Sequence, residues 1–403
     1  MIRIVSLVIA ALPVLTAACS GGVGEGDMLE IGAVLPLTGA LASYGESSEA
    51  ALAEAVEAIN AEGETTLSLA IEDSGSDPQT ALAKLQDLHE RGINIVVGPY
   101  SSSEVLAGLD FANQNELLLL SPLSTAHSLA TPDDNLFRFT PDDVEEGVAV
   151  ANVAWEDGVR ALVIVVRDDE GNRGLGIATR AAFEELGGIV VDELVYPADE
   201  EDFEDEITSL EETVAAISTQ TGEVGIYLAA FAEVENLFVA AADSELAELR
   251  WYGSNSVALS RELIENDTAA AFAIETGYPN PILGLREADQ AAWGPVSERI
   301  AEDIGRSPDA FALAAYDALA AAHQAAVNAG GGEDVSAVKA ELVAVTDETT
   351  GLTGPLSLNE AGDRALATFD FWAVCELDND DYTWSRVATY SAGGTAERLP
   401  ASC

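Results

Sequence analysis

The chain has 403 residues and a 48% hydrophobic content, enough for about two domains with sizeable cores. Seventy-one Asp and Glu against 17 Lys and Arg give a formal net charge of -54, and Lys84 and Lys339 are the only lysines. Such a surface repels nucleic acid and anionic membranes, while the periodic apolar segments exclude a disordered chain. Lysine depletion beside the acid excess points to halophilic adaptation, in which counter-ions screen self-repulsion. High acidity without halophily is the alternative.

Met1-Ile2-Arg3 is a thin basic start, and Ile4–Leu15 is an apolar stretch broken by Pro13. Thr16-Ala17-Ala18 then places small residues before Cys19. The stretch is too short to span a bilayer and reads as an export signal over residues 1–18. Cys19 resembles the lipid acceptor of a bacterial lipoprotein signal, with Thr16 where leucine is commoner. Ordinary secretory cleavage after Ala18 is the other reading. Residues 19–28 form a Gly-rich tether, and no later stretch approaches the length of a membrane span.

From Leu29 to about Gly277 the pattern alternates between strand and helix. Short apolar runs at Ile31–Leu35, Ile93–Val97 and Leu117–Leu120 read as buried strands. Each delivers a loop: Pro36-Leu37-Thr38-Gly39 to Tyr44-Gly45, Gly98 to Ser103, and Ser121 to Thr125. Hydroxyls and free N–H groups thus collect at one edge of a parallel sheet, a place suited to capturing a carboxylate or other anion. Further strands are expected at Leu136–Thr140, Ala161–Val166, Ile189–Val195, Val224–Leu228, Arg250–Tyr252 and Ala271–Thr276. Helices are expected at Val144–Glu156, Leu175–Leu186 and Glu233–Ala242, then at Arg286–Ile304, Pro308–Ala329 and Val335–Val345. Acidic Glu200–Glu212 reads as a solvated helix face, because it lacks calcium-loop spacing. The tail Gly351–Tyr390 is β-like. Near its end Cys375 and Cys403 make an even pair once Cys19 is lipidated, and a disulfide there closes a loop of roughly 30 residues, contributing about 3 kcal/mol. Two free thiols are the alternative.

The order of motifs resembles the type I periplasmic binding proteins of the leucine/isoleucine/valine-binding family. The resemblance rests on Ile31 to Gly39 with Tyr44-Gly45, the helix ending at Gly63, Asp73 to Pro78, Val97-Gly98-Pro99, Ser121-Pro122 and Gly354 to Asp363. It implies an α/β fold of two Rossmann-like lobes joined by a three-strand hinge, with a ligand cleft between them. Lobe 1 would comprise residues 29–141 and 279–355, and lobe 2 residues 142–278 and 356–403. The chain crossings would fall near residues 138–145, 275–281 and 353–360. The implied activity is capture of a small polar solute, an amino acid, for the permease of an ABC importer, by a monomer lipid-anchored outside the cytoplasmic membrane. No cofactor or metal is implied.

By position the resemblance carries the α-carboxylate and ammonium contacts to Ser102, the Leu123 carbonyl, Ser124 and Thr125. It makes Tyr44 the aromatic over the ligand side chain. Packing beneath a loop is the plainer reading of Tyr44, and a helix N-cap that of Ser101–Ser103. Lobe 2 departs from the family pattern. Asn255 stands where an acidic residue receives the ammonium, Phe231 stands for a tyrosine, and either Glu170 or Asn172 replaces another tyrosine. A neutral amide is the weaker partner for an ammonium, so a small amide, urea-like compound or organic acid is an alternative ligand. A sensory subunit is an alternative role. Against an extracellular hydrolase stand only three histidines, His89, His127 and His323, and no Gly-x-Ser-x-Gly elbow. His127 follows the Thr125 loop and reads as a surface or hinge residue. Arg173 reads as an exposed arginine.

Overall fold

The computed structural model describes residues 28–63, 66–217, 223–379 and 381–399. The export signal, Cys19 and Cys403 lie outside them. Strands β1 (Met28–Leu35), β2 (Thr66–Asp73), β3 (Ile95–Val97), β4 (Leu118–Ser121) and β5 (Leu136–Arg138) form a parallel sheet in the order β2-β1-β3-β4-β5. Between them run helices α1 (Ala42–Glu62), α2 (Pro78–Glu90) and α3 (Ser102–Gln114). Asp77 caps α2 through the Thr80 N–H, with Pro78 preset for the first turn.

The chain then enters a second α/β body. It contains α4 (Asp143–Glu156), β6 (Ala161–Arg167), α5 (Glu170–Glu185), β7 (Ile189–Tyr196), α6 (Glu204–Ile217), β8 (Val224–Ala229), α7 (Val234–Ala241), β9 (Arg250–Tyr252), α8 (Arg261–Glu265) and α9 (Asp267–Thr276). Its sheet, β7-β6-β8-β9, is also parallel. All six residues of β8 are buried, as a parallel strand covered on both faces requires. On α6 only Ile207, Leu210 and Ile217 are buried, so its carboxylates form the solvated face expected of them.

Next come β10 (Asn280–Leu283), α10 (Gln290–Ile304), α11 (Ala310–Ala329), α12 (Val335–Glu348) and the short pair β11 (Thr350–Gly351) and β12 (Gly354–Pro355). Phe311, Ala314, Ala318 and Leu319 of α11 join Leu52 and Ala55 of α1 in the core under the first sheet, so this segment returns to the first body. Finally β13 (Thr368–Glu376), β14 (Tyr382–Ser391) and β15 (Glu397–Arg398) form an antiparallel sheet with β10. Phe369, Phe371, Ala388 and Tyr390 of this sheet pack with the second body. Cys375 of β13 is disulfide-bonded.

Where the chain passes between bodies, Arg138 of β5 is fully buried. Its guanidinium donates from Nε to Asp363 at 2.5 Å, from a terminal nitrogen to the same carboxylate at 2.7 Å, and from the other to the Ala126 carbonyl at 2.7 Å.

One expected strand is a helix. Ala271–Thr276 is short and apolar like a strand, but the chain there is α9, with Asn266 accepting from the Thr268 and Ala269 N–H groups and Gly277 ending it at φ 70°. Buried Ala269, Ala270, Phe272, Ala273 and Thr276 follow helical spacing.

Candidate functional site

The loops after β1, β3 and β4 meet at the carboxyl edge of the first sheet. Gly98 fixes the second of them. At φ 101° it lies where a Cβ would come within 2.3 Å of the Val34 carbonyl. Ser101 then caps α3 in a reciprocal capping box: its hydroxyl accepts from the Glu104 N–H at 3.3 Å, and the Glu104 carboxylate accepts from the Ser101 N–H at 2.8 Å. Burial raises the Glu104 pKa, and these bonds oppose the rise.

Ser102 points instead at the third loop. Its hydroxyl accepts from the N–H groups of Thr125 (3.2 Å) and Ala126 (3.1 Å) and from the Ser124 hydroxyl (3.2 Å). The Ser124 N–H donates to Ser121, whose hydroxyl donates to the Pro99 carbonyl at 2.6 Å. Ser102, Leu123, Ser124 and Thr125 are all buried and brought together.

The second body closes over these loops. Tyr44 of α1 reaches across, its hydroxyl 2.8 Å from the Ala258 carbonyl and 3.3 Å from that of Asn255. Burial, with Asp309 and Glu262 nearby, raises its pKa well above the usual value, so it stays a donor. At the other end, the Glu170 N–H donates to the Ser103 hydroxyl at 3.1 Å, and the Ser128 hydroxyl donates to the Glu170 carboxylate at 2.5 Å. Between the candidates Glu170 and Asn172, Asn172 is the fully buried one, while Glu170 makes this latch.

Phe231 shares one apolar cluster with Tyr44, Leu123 and Phe311. The Arg167 guanidinium lies 4.6 Å over its ring. Phe311, from the first turn of α11, meets Tyr44 edge-on at 5.9 Å. Nothing in its alanine-rich helix distinguished it in the sequence.

Asn255 is held by a residue that sequence reasoning missed. Its N–H and its side-chain amide both donate to Glu146 of α4, at 3.0 and 2.7 Å. The neutral amide therefore carries a buried carboxylate behind it. Asp143 lies one turn earlier, and its own N–H donates to the Thr125 carbonyl at 2.9 Å. Burial raises the pKa of both acids, Asp143 to about 7 and Glu146 well above the usual range, against weaker lowering by Thr125 and Arg138 for the first and Asn255 for the second. The signal available in the sequence was three acids, Asp143, Glu145 and Glu146, in the first turn of α4, where a helix dipole favours acids in any case.

His127 is exposed and paired with Asp142 at 2.7 Å, and Arg173 is paired with Asp168 at 2.7 Å on the surface. Among the described residues no group of three or more His, Cys, Asp or Glu is arranged to hold a metal ion.

Two parallel-sheet lobes closed on hydroxyl-bearing strand-end loops define an α/β binding protein, with the cleft between the lobes as its site. Residues 29–378 match the family described as "Periplasmic binding protein", and the chain belongs to that extracytoplasmic family. An uncharacterized protein of Methanocaldococcus jannaschii is 29% identical over 377 residues, with 87% of this chain and 88% of that protein covered. A leucine-, isoleucine-, valine-, threonine-, and alanine-binding protein of Pseudomonas aeruginosa is 27% identical over 369 residues, covering 90% and 91%. Among solved structures, a solute binding protein of an ABC transporter from Rhodopseudomonas palustris, in complex with p-hydroxybenzoic acid, superposes with a TM-score of 0.74. It is 16% identical and covers 91% of this chain and 98% of its own.

Proposed function

We propose that this chain is a solute-binding lipoprotein that captures a small polar molecule, an amino acid, and presents it to the permease of an ABC importer. The observation that carries this reading is the meeting of two unlike surfaces in the cleft. Ser102, Leu123, Ser124 and Thr125 of lobe 1 stand across from Phe231 and Asn255 of lobe 2, with Tyr44 bridging them. Hydroxyl and N–H donors suit a carboxylate, and the acids behind Asn255 suit an ammonium. We assign residues 29–141 and 279–355 to lobe 1 and residues 142–278 and 356–403 to lobe 2. Only the closed arrangement lets both touch a solute at once, so binding shifts the open–closed equilibrium. We further assign lipid attachment to Cys19, the disulfide partner of Cys375 to Cys403, and a monomeric state.

A thermal-shift screen in high salt tests the reading, with amino acids, small amides, and short and aromatic acids as probes. A true ligand at about 100 times its Kd stabilises by roughly 2.7 kcal/mol, a readable shift. No shift with any probe would sink the proposal. A second reading, capture of an organic acid or amide without an ammonium, is favoured by the neutral Asn255 and by the fold shared with a p-hydroxybenzoic acid complex. The same screen separates the two.

A further inference from the structure

Lobe 2 buries acids without giving them cations. Both carboxylate oxygens of Asp143, Oδ1 of Asn172 and the hydroxyls of Thr179 and Tyr227 make no well-formed hydrogen bond in the protein, the Thr125 hydroxyl and His127 N–H being donors beside Asp143 and Thr179 lying beside Tyr227, and all four residues are fully buried. Glu146, one turn from Asp143 on the same helix, is 1% exposed, and among the described residues its carboxylate is bonded to Asn255 alone. The Asp143 carboxylate is pressed against α5, where a Cβ on Gly174 would lie 2.2 Å from its oxygen. Among the described residues no Lys, Arg or His forms an ion pair with either acid.

The charged and titratable neighbours are committed elsewhere or are negative. At the cap of α4 Asp142 repels Asp143, and on α4 itself Glu145 is also acidic. On β5 Arg138 is bound to Asp363 and only partly offsets the burial of Asp143, and in the turn between β4 and β5 His127 is bound to Asp142. On α5 Glu170 bonds Ser128 and Arg173 bonds Asp168, while on β8 and before β10 Tyr227 and Tyr278 are neutral phenols held so by burial. The pair nevertheless adjoins the proposed contacts. Asp143 bonds the Thr125 carbonyl through its N–H, and Glu146 holds Asn255, whose carbonyl is 3.3 Å from the Tyr44 hydroxyl.

We propose that the Asp143–Glu146 pair makes capture proton-linked: a positively charged solute nitrogen enters the cleft beside it, and one carboxyl O–H bond breaks, its proton passing to solvent. The carboxylate so formed becomes the counter-charge of the nitrogen, while Ser102 and Thr125 hold the anionic end. The inference rests on the reading of the cleft as a solute site. The raised pKa of both acids supports it, since burial favours the protonated form of each over the carboxylate until a cation arrives.

The test is calorimetry on the full protein with L-leucine and 4-methylpentanoate, its counterpart without the amino group. Where another of the twenty amino acids binds tighter, that one is used with its own des-amino acid. Leucine affinity should rise from pH 6 to pH 8, approaching tenfold per pH unit where one full proton leaves, and its binding heat should differ between phosphate and Tris. Affinity for 4-methylpentanoate should stay level or fall over the same range. Asp143→Asn or Glu146→Gln should flatten the leucine slope, which a merely structural role would leave in place. Should both variants fail to fold, the wild-type buffer comparison alone decides. Parallel pH slopes, or a leucine heat independent of buffer, would overturn the proposal. Binding confined to acids without an amino group would also overturn it while leaving solute capture intact, and binding of none of these probes would remove both.

Discussion

The two faces of the cleft differ in how their polar atoms are paired. On lobe 1 the hydroxyls satisfy one another and the backbone: Ser121 bonds Pro99, Ser124 bonds Ser121 and Ser102, and Ser102 bonds Thr125 and Ala126. On lobe 2, Asp143, Asn172, Thr179 and Tyr227 keep buried oxygens without a well-formed bond; Ser48, Tyr100 and Glu104 do so on the lobe 1 side, but among the described residues only Asp143 has both carboxylate oxygens so placed. A self-paired face is held in shape before binding and loses little freedom on contact. An under-paired face gains whatever matching group a solute brings, and penalises one that brings nothing. On the proposed reading of the cleft, the Asp143 side of lobe 2 is where a matching solute group would gain most.

The largest expected effect lies at the seam between the faces. Arg138→Met leaves Asp363 a buried, unpaired carboxylate and strips the Ala126 carbonyl of its donor. A loss of about 3–5 kcal/mol in denaturant unfolding is expected. A loss under about 1 kcal/mol would show that the seam does not hold the Ala126 turn, and with it the lobe 1 loops, in place.

The under-paired face should also tax stability with pH. Asp143 titrates in the folded protein at about 7 instead of its ordinary 3.8. A raised carboxyl keeps extra protons in the native state, so stability is full below about pH 4 and falls as pH rises towards 7, by up to roughly 4 kcal/mol. Asp143→Asn should reduce that slope, Glu146 supplying part of what remains, and leave the variant more stable than wild type at pH 8. Glu146, and Glu104 on lobe 1, which is bonded to Ser101 through one carboxylate oxygen only, are among the other buried acids with raised pKa values, and an unchanged slope in the Asp143 variant would assign the pH dependence to them instead.

Next in size is the carboxylate loop of lobe 1. Ser102→Ala with Thr125→Ala should weaken solute binding by about 3 kcal/mol, the scale of one or two charge-assisted bonds. Ser102→Ala alone also orphans two N–H groups, so unfolding must be measured beside affinity. Unchanged affinity in the double variant would remove this face from the site.

The same contrast explains what could be read in the sequence. Ser101 to Ser103 and Ser121 to Thr125 carry their chemistry within a few residues, so local patterning located them, and their hydroxyls do come together. Asn255 gains its partner Glu146 from 109 residues away, and Phe311 reaches Tyr44 from a helix that returns from the other end of the chain. No local pattern encodes those meetings. The strand expected at Ala271–Thr276 fails for a related reason: a short apolar run looks alike in both periods, and the Asn266 and Gly277 caps that decide it flank the run. Strand β2 was not expected, because Thr66–Asp73 alternates weakly and ends in acids.

The smallest expected effect probes the contact that joins the faces. Tyr44→Phe deletes one hydroxyl and keeps the ring against Phe311, so the packing of lobe 1 should survive. What is lost is the bond to the Ala258 carbonyl of lobe 2, 2.8 Å away. In an open form that carbonyl is met by water, whereas in the closed form it is buried and loses its only cross-cleft donor among the described contacts. The penalty therefore falls on closure and not on folding, about 1 kcal/mol for a neutral bond. Solute affinity should drop about fivefold with the melting temperature of the solute-free protein nearly unchanged. A melting loss as large as the affinity loss would mean that the hydroxyl supports the fold of lobe 1 itself, and that the two faces are held together by other contacts, among them the Glu170 latch, the Arg261–Glu46 ion pair and the buried Arg138 pair.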